Sequence, residues 1–159
     1  MWIFKLLGVA LLLISGLVLS RMLNRTVTAA LRQNEGMMAL LRRVRGQIEC
    51  FSRPIGEILS GCEDTELAAC GYEGKECPLD LAALLVQVAV YDVPTVETMT
   101  RFAEEFGRGY REDEVRACDY ALSLLDARRA VLQDEMPQKK KRNTVLSVCA
   151  SLALALLLL

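Results

Sequence analysis

The chain contains no histidine among its 159 residues. That excludes Ser-His-Asp and Cys-His catalysis, histidine-ligated zinc and an imidazole proton switch near neutral pH. No Walker A loop, 12-residue calcium loop or dinucleotide-binding glycine pattern is present, so the phosphate and calcium chemistry those motifs carry has no basis here. Proline is scarce, with four in all, and none falls between Met1 and Arg53. Charge is missing from both ends. Residues 2–20 carry only Lys5 and residues 144–159 carry none, whereas residues 21–143 hold 18 of the 19 basic residues and all 20 acidic ones. The chain is 53% hydrophobic and 25% charged, and this segregation is what reconciles the two figures. About 120 charged-rich residues suffice for one modest core and not for two.

The apolar ends predict membrane helices. A bilayer core needs roughly 20 helical residues, which residues 2–20 supply if Lys5 snorkels to the interface beside Trp2. Residues 144–159 sit at the short limit. A cleaved signal peptide is the competing reading of the first segment, although VLSRM is a weak cleavage junction. Arg21, Arg25 and Arg32 follow the first segment, and Lys139, Lys140, Lys141 and Arg142 precede the last. Both biases hold residues 21–143 on the cytoplasmic side. The expected division is therefore a transmembrane helix at 1–20, a cytoplasmic helical domain at 21–143 and a second transmembrane helix at 144–159.

Six cysteines occur without a Cys-x-x-Cys pair, and Cys149 lies in the apolar C-terminal run. The odd five that remain fit free thiols in a reducing compartment better than a disulfide framework. Cys62, Cys70 and Cys77 are spaced too widely for paired zinc ligands. They support only an alternative reading, a membrane-tethered thiol protein for metal or redox sensing.

Between the ends the pattern is helical. Apolar residues at Met37, Leu41, Val44, Ile48 and Phe51 step by four and three, which predicts that the first membrane helix continues as one long element, weakened near Gly36. Ser52 is placed to cap a new helix with Pro54 in its first turn and Glu57 near its positive end. Gly61 to Asp80 is irregular, with a short helix around ELAAC. Residues 81–91 read as a buried helix, a buried strand being the other possibility for so apolar a run. Asp92-Val93-Pro94-Thr95 starts a further helix that Gly107 ends. The longest soluble helix, about Arg111 to Met136, carries a seam of Val115, Cys118, Leu122, Leu125, Leu132 and Met136, with Arg129 its polar member, and Pro137 is expected to end it. The expected fold is all-α. Charge is polarised: residues 21–53 net +5 and residues 54–137 net −11. The acidic clusters Glu63–Glu66 and Glu112–Glu114 read as solvated charge at loops and helix starts, with no metal, cofactor or enzymatic role. The membrane-proximal arginines suit lipid headgroups better than nucleic acid.

Several motifs resemble the stage III sporulation protein AB family of endospore-forming bacteria. In GQIECFSRPIGEIL, Pro54, Ile55 and Glu57 occupy the family's proline, aliphatic and glutamate places. In RFAEEFGRGYREDEVRACDYALSLLDARRAVL, Phe102, Phe106 and Gly107 match its phenylalanine–glycine turn ahead of a long amphipathic helix. Tyr110 and Glu114 stand where the family usually has aspartate and glutamine. The resemblance implies a non-catalytic component of the channel between mother cell and forespore, lodged in the mother-cell membrane. It further implies a cytoplasmic domain like that of type II secretion platform proteins, docking a secretion-type ATPase, stage III sporulation protein AA, beside other channel proteins. Pro54, Glu57, Tyr110, Glu112, Asp113 and Glu114 are the expected partner-binding residues.

Overall fold

The computed structural model describes the backbone of Trp2–Leu158 except Ser52, and side chains from Gly8 to Leu154 other than those of residues 9, 10, 12, 13 and 52. The expected roles of Trp2, Lys5 and Ser52 lie outside the described side chains. The elements are α1 (Trp2–Phe51), α2 (Ile55–Ser60), α3 (Asp64–Ala69), α4 (Leu81–Val86), α5 (Val93–Glu105) and α6 (Arg111–Leu158). The described residues contain no strand, only an isolated antiparallel bridge between Tyr72 and Val88. The fold is all-α.

The chain forms two compact units. One comprises Ala30–Leu132, and the other joins Met1–Ala29 to Gln133–Leu159. Within the first, the core gathers one face of each helix: Met37, Met38, Leu41 and Val44 from α1, Ile58 and Leu59 from α2, Leu67 from α3, Leu81 and Leu84 from α4, Met99 and Phe102 from α5, and Cys118, Ala121 and Leu125 from α6. Met37, Leu41, Val44 and Ile48 of the stripe read from α1, and Val115, Cys118, Leu122 and Leu125 of the seam read from α6, pack into this core, whereas Phe51, the expected last member of the stripe, is 64% exposed. Arg129, the polar member of that seam, pairs with Glu35 at 3.1 Å.

Gly36 is not a weak point in α1. An added Cβ there would lie 2.6 Å from the Ala69 carbonyl carbon and oxygen, so the end of α3 rests directly on the α1 backbone. Gly36→Ala adds about 1 kcal/mol of helix propensity but forces backbone apart at a cost of roughly 1–3 kcal/mol. The expected net result is a variant destabilised by about 1 kcal/mol, and a raised urea midpoint would refute the close approach.

Three expectations are corrected. Pro54 is the N-cap of α2, with extended φ −66° and ψ 149°, rather than a first-turn residue. The run 81–91 is only half helix: α4 stops at Val86, Gln87 caps it, and Glu73 N–H donates to the Gln87 carbonyl while Ala89 N–H donates to the Gly71 carbonyl. Val86, Val90 and Tyr91 are exposed rather than buried. Finally, α6 continues through Pro137 to Leu158. Proline in a helix forfeits one hydrogen bond and crowds the preceding turn, yet the backbone of α6 stays helical on both sides of it. The other boundaries hold: Glu63 and Glu66 form a capping box on α3, and Asp92 caps α5 through the Thr95 amide.

Two buried polar side chains of α1 tie the irregular segments down. Gln33 Nε2 donates to the carbonyls of Cys70 (3.1 Å) and Ala89 (2.6 Å), and Oε1 accepts from the amides of Tyr91 (3.0 Å) and Asp92 (3.1 Å). Next to it Asn34 Nδ2 donates to Thr95 Oγ1 at 2.9 Å, whose hydroxyl donates to Asp92 Oδ2 at 2.7 Å. Arg128 of α6 closes the network with two bonds to the Asp92 carboxylate, at 2.7 and 3.0 Å.

The second unit pairs the first part of α1 with the last part of α6, and among the described residues those it buries are small or hydroxylated. Ser20, Ser147 and Ser151 are buried, Ser20 Oγ donates to Thr144 Oγ1 at 3.1 Å, and a Cβ on Gly16 would lie 2.6 Å from Ser151 Oγ. Leu11, Ile14, Leu17, Val18, Leu19, Leu146, Leu152 and Leu154 are exposed. Among the described residues, no helix is long and apolar enough to cross a membrane.

Candidate functional site

The turn between α5 and α6 is where the sequence-derived partner residues become informative. Gly107, at φ +85°, takes the left-handed conformation that ends α5, which favours a residue without Cβ. The amides of Asp113 and Glu114 then donate to the Tyr110 carbonyl and begin α6. Glu114, one turn in, folds back so that its Oε1 accepts from the amides of Gly107 (2.8 Å) and Gly109 (3.2 Å). Its side chain therefore holds the turn that precedes its own helix.

Beside this turn lies a cleft of about 500 Å³. Ile48 of α1, Pro54 and Ile55 at the start of α2, Leu81 of α4, and Ala103 and Phe106 around the end of α5 supply its apolar lining. Arg53, Asp80, Arg111 and Glu114 supply the charged groups. Five separate stretches of chain meet here because Pro54 turns the chain after α1 and Gly107 turns it after α5.

The structure sorts the six expected partner residues. Pro54 and Glu114, sixty residues apart in sequence, line the same cleft. Glu57, Glu112, Asp113 and Tyr110 are exposed and are not among its lining residues, and Asp113 stands 3.9 Å from Arg116. Reading Glu112–Glu114 as a uniformly solvated cluster is corrected at Glu114, which is only 9% exposed. The apolar lining residues Leu81 and Phe106 were legible as core or turn positions but carried no sign of a shared cleft. Periodicity reports which face of a helix is covered, not which loops converge on it.

The thiols are differently placed. Burial pushes Cys70 up to about 12, with Cys62 and Glu66 adding to it, and burial pushes Cys118 up to about 12, with Glu114 and Asp119 nearby. Burial also raises Cys62, against the opposing pull of Arg43. A thiol that resists ionisation is a poor nucleophile and a poor metal ligand. Among the described residues no group of cysteine and carboxylate side chains is disposed to hold a metal ion.

No protein-family model, curated protein or solved structure matches this chain.

Proposed function

We propose that this chain is a non-catalytic membrane component of a secretion-like channel of the kind that joins mother cell and forespore, with its Ala30–Leu132 unit acting in the cytoplasm as a docking scaffold for a secretion-type ATPase. The observation that carries the membrane part is the inverted pattern of the smaller unit. Small and hydroxylated side chains face inward at Gly16, Ser20, Ser147 and Ser151, while leucine, isoleucine and valine face outward. In water that arrangement forgoes the hydrophobic effect on both helices. In lipid it is favourable, because close backbone approach and interhelical hydrogen bonds hold helices together where tails already solvate leucine. The basic residues inward of each apolar run supply the orientation. The docking part rests on the resemblance of the Pro54–Glu57 and Phe102–Gly107 motifs to the stage III sporulation protein AB family, whose platform-like cytoplasmic domain it implies, and on the acidity of residues 54–137.

Cysteines introduced near residues 1 and 159, in a chain with Cys149 replaced, should react with an impermeant thiol reagent in intact cells. Protection of both ends would sink the topology. For docking, Glu112→Lys combined with Asp113→Lys changes two exposed charges and no buried contact. Association with stage III sporulation protein AA should slow about tenfold at low salt and converge with the parent at high salt, since exposed charges act mainly on the encounter rate. Identical association at both salts would move the docking surface away from the start of α6.

A further inference from the structure

The two carboxylate oxygens of Glu114 have unequal surroundings. Oε1 has two backbone donors, whereas Oε2 is buried with no hydrogen-bond partner. The residue is 9% exposed and forms part of the cleft wall. Leaving a charged acceptor buried without a donor is costly, and the cost is relieved by whatever brings one. The backbone amides of the turn are already committed to Oε1, so they have nothing left to offer an incoming anion. The unmet demand at this place is for a donor.

We infer that the cleft takes an arginine side chain of a partner polypeptide, its guanidinium meeting the Glu114 carboxylate as that side chain turns Oε2 toward the cleft, and its methylene stem lying along Ile55, Leu81 and Phe106. This rests on reading the unit as a docking scaffold and names the chemistry it recognises. Guanidinium fits better than ammonium here. It is planar, weakly hydrated and presents several donors at once, so it loses less on entering an apolar-walled cleft. Its stem matches the apolar lining, as long basic side chains commonly cover such surface. Arg53 and Arg111 also line the cleft and oppose a second cation, while Asp80 has one oxygen committed to the Ala83 amide at 2.6 Å. The charge pattern therefore suits an arginine adjacent to a carboxylate rather than a basic run. The net −11 of residues 54–137 draws the basic residue in from a distance.

Nα-acetyl-arginine is the smallest probe with both groups, and Nα-acetyl-citrulline is its uncharged counterpart of nearly the same shape. The full chain in detergent micelles, labelled with ¹⁵N-glycine, gives amide signals from its ten glycines, among them Gly107 and Gly109 beside the cleft. Those two signals should shift saturably with acetyl-arginine, and about tenfold weaker with acetyl-citrulline, the factor expected for a hydrogen bond to a charged group. Glu114→Gln keeps an oxygen for the two glycine amides and places an NH₂ where Oε2 stands, so the turn is retained and the preference for acetyl-arginine is lost. Unmoved signals from Gly36 and Gly71 in that variant establish that the fold is intact. Equal affinity for the two probes in the parent chain overturns the inference, as does undiminished acetyl-arginine binding by Glu114→Gln. Capture of the ATPase by a chain whose cleft ignores the probe overturns this inference and leaves the docking reading standing. A cleft that discriminates the probes in a chain that captures no ATPase supports the inference and overturns the docking reading.

Discussion

Gln33→Leu is expected to cost on the order of 4 kcal/mol of stability, the largest effect of any single substitution considered for this fold. Gln33 is 1% exposed and satisfies two carbonyls and two amides of the segments that follow α3 and α4. Leucine has nearly the same volume and no polar atom, so all four backbone groups lose their partner at once. Each buried group left unpaired costs about 1–3 kcal/mol, with part recovered from the apolar side chain. Against a total of roughly 5–15 kcal/mol, that is a large fraction. Urea unfolding followed by far-ultraviolet circular dichroism measures the loss, and amide exchange at Tyr91 and Asp92 localises it. Parent-like unfolding of Gln33→Leu would show that these segments are held from elsewhere.

Asp92→Asn should cost about 2 kcal/mol, less than a fully buried pair because Arg128 remains a quarter exposed. Burial pushes the Asp92 carboxyl up, but hydrogen bonds from Arg128 and Thr95 outweigh it and hold the group below its ordinary value. The sign of the pH dependence follows. A carboxyl depressed by folding contributes stability that is fully present above its unfolded pKa of about 3.9 and is lost as pH falls through the folded value. The parent should therefore lose the Asp92 contribution below about pH 4, whereas Asp92→Asn, having none to lose, should show a shallower acid limb. Parallel acid limbs for the two chains would remove Asp92 from the acid response. Asparagine still accepts from the Thr95 amide, so helix α5 should keep its start, and a shortened α5 would mean that the charge, not the cap, sets it.

Local chemistry alone determined much of this protein. The steps of three and four from Met37 to Ile48, the seam from Val115 to Leu132, the cap at Asp92 and the stop at Gly107 each express a rule that acts within a turn or two, so the all-α class and the packed faces were readable without coordinates. Segregation of charge to residues 21–143 was likewise plain. Where a short-range rule met an opposing demand, the sequence reading failed. Pro137 reads as a stop because its missing amide is a local defect, yet α6 passes through it to Leu158. Residues 81–91 read as one buried element, yet the chain leaves α4 at Val86 to bridge Tyr72, since Gly71 and Gln33 offer its backbone partners that lie far away in sequence. Gly36 reads as a weakness in a helix until α3 is seen resting on it. The cleft was the least legible feature. Pro54 and Glu114 drew attention separately, but only the tertiary fold could bring them to one wall and bury a carboxylate that composition counts as solvated, because convergence of α1, α2, α4, α5 and α6 depends on contacts between residues up to sixty or more positions apart, and no periodicity within a single segment encodes it.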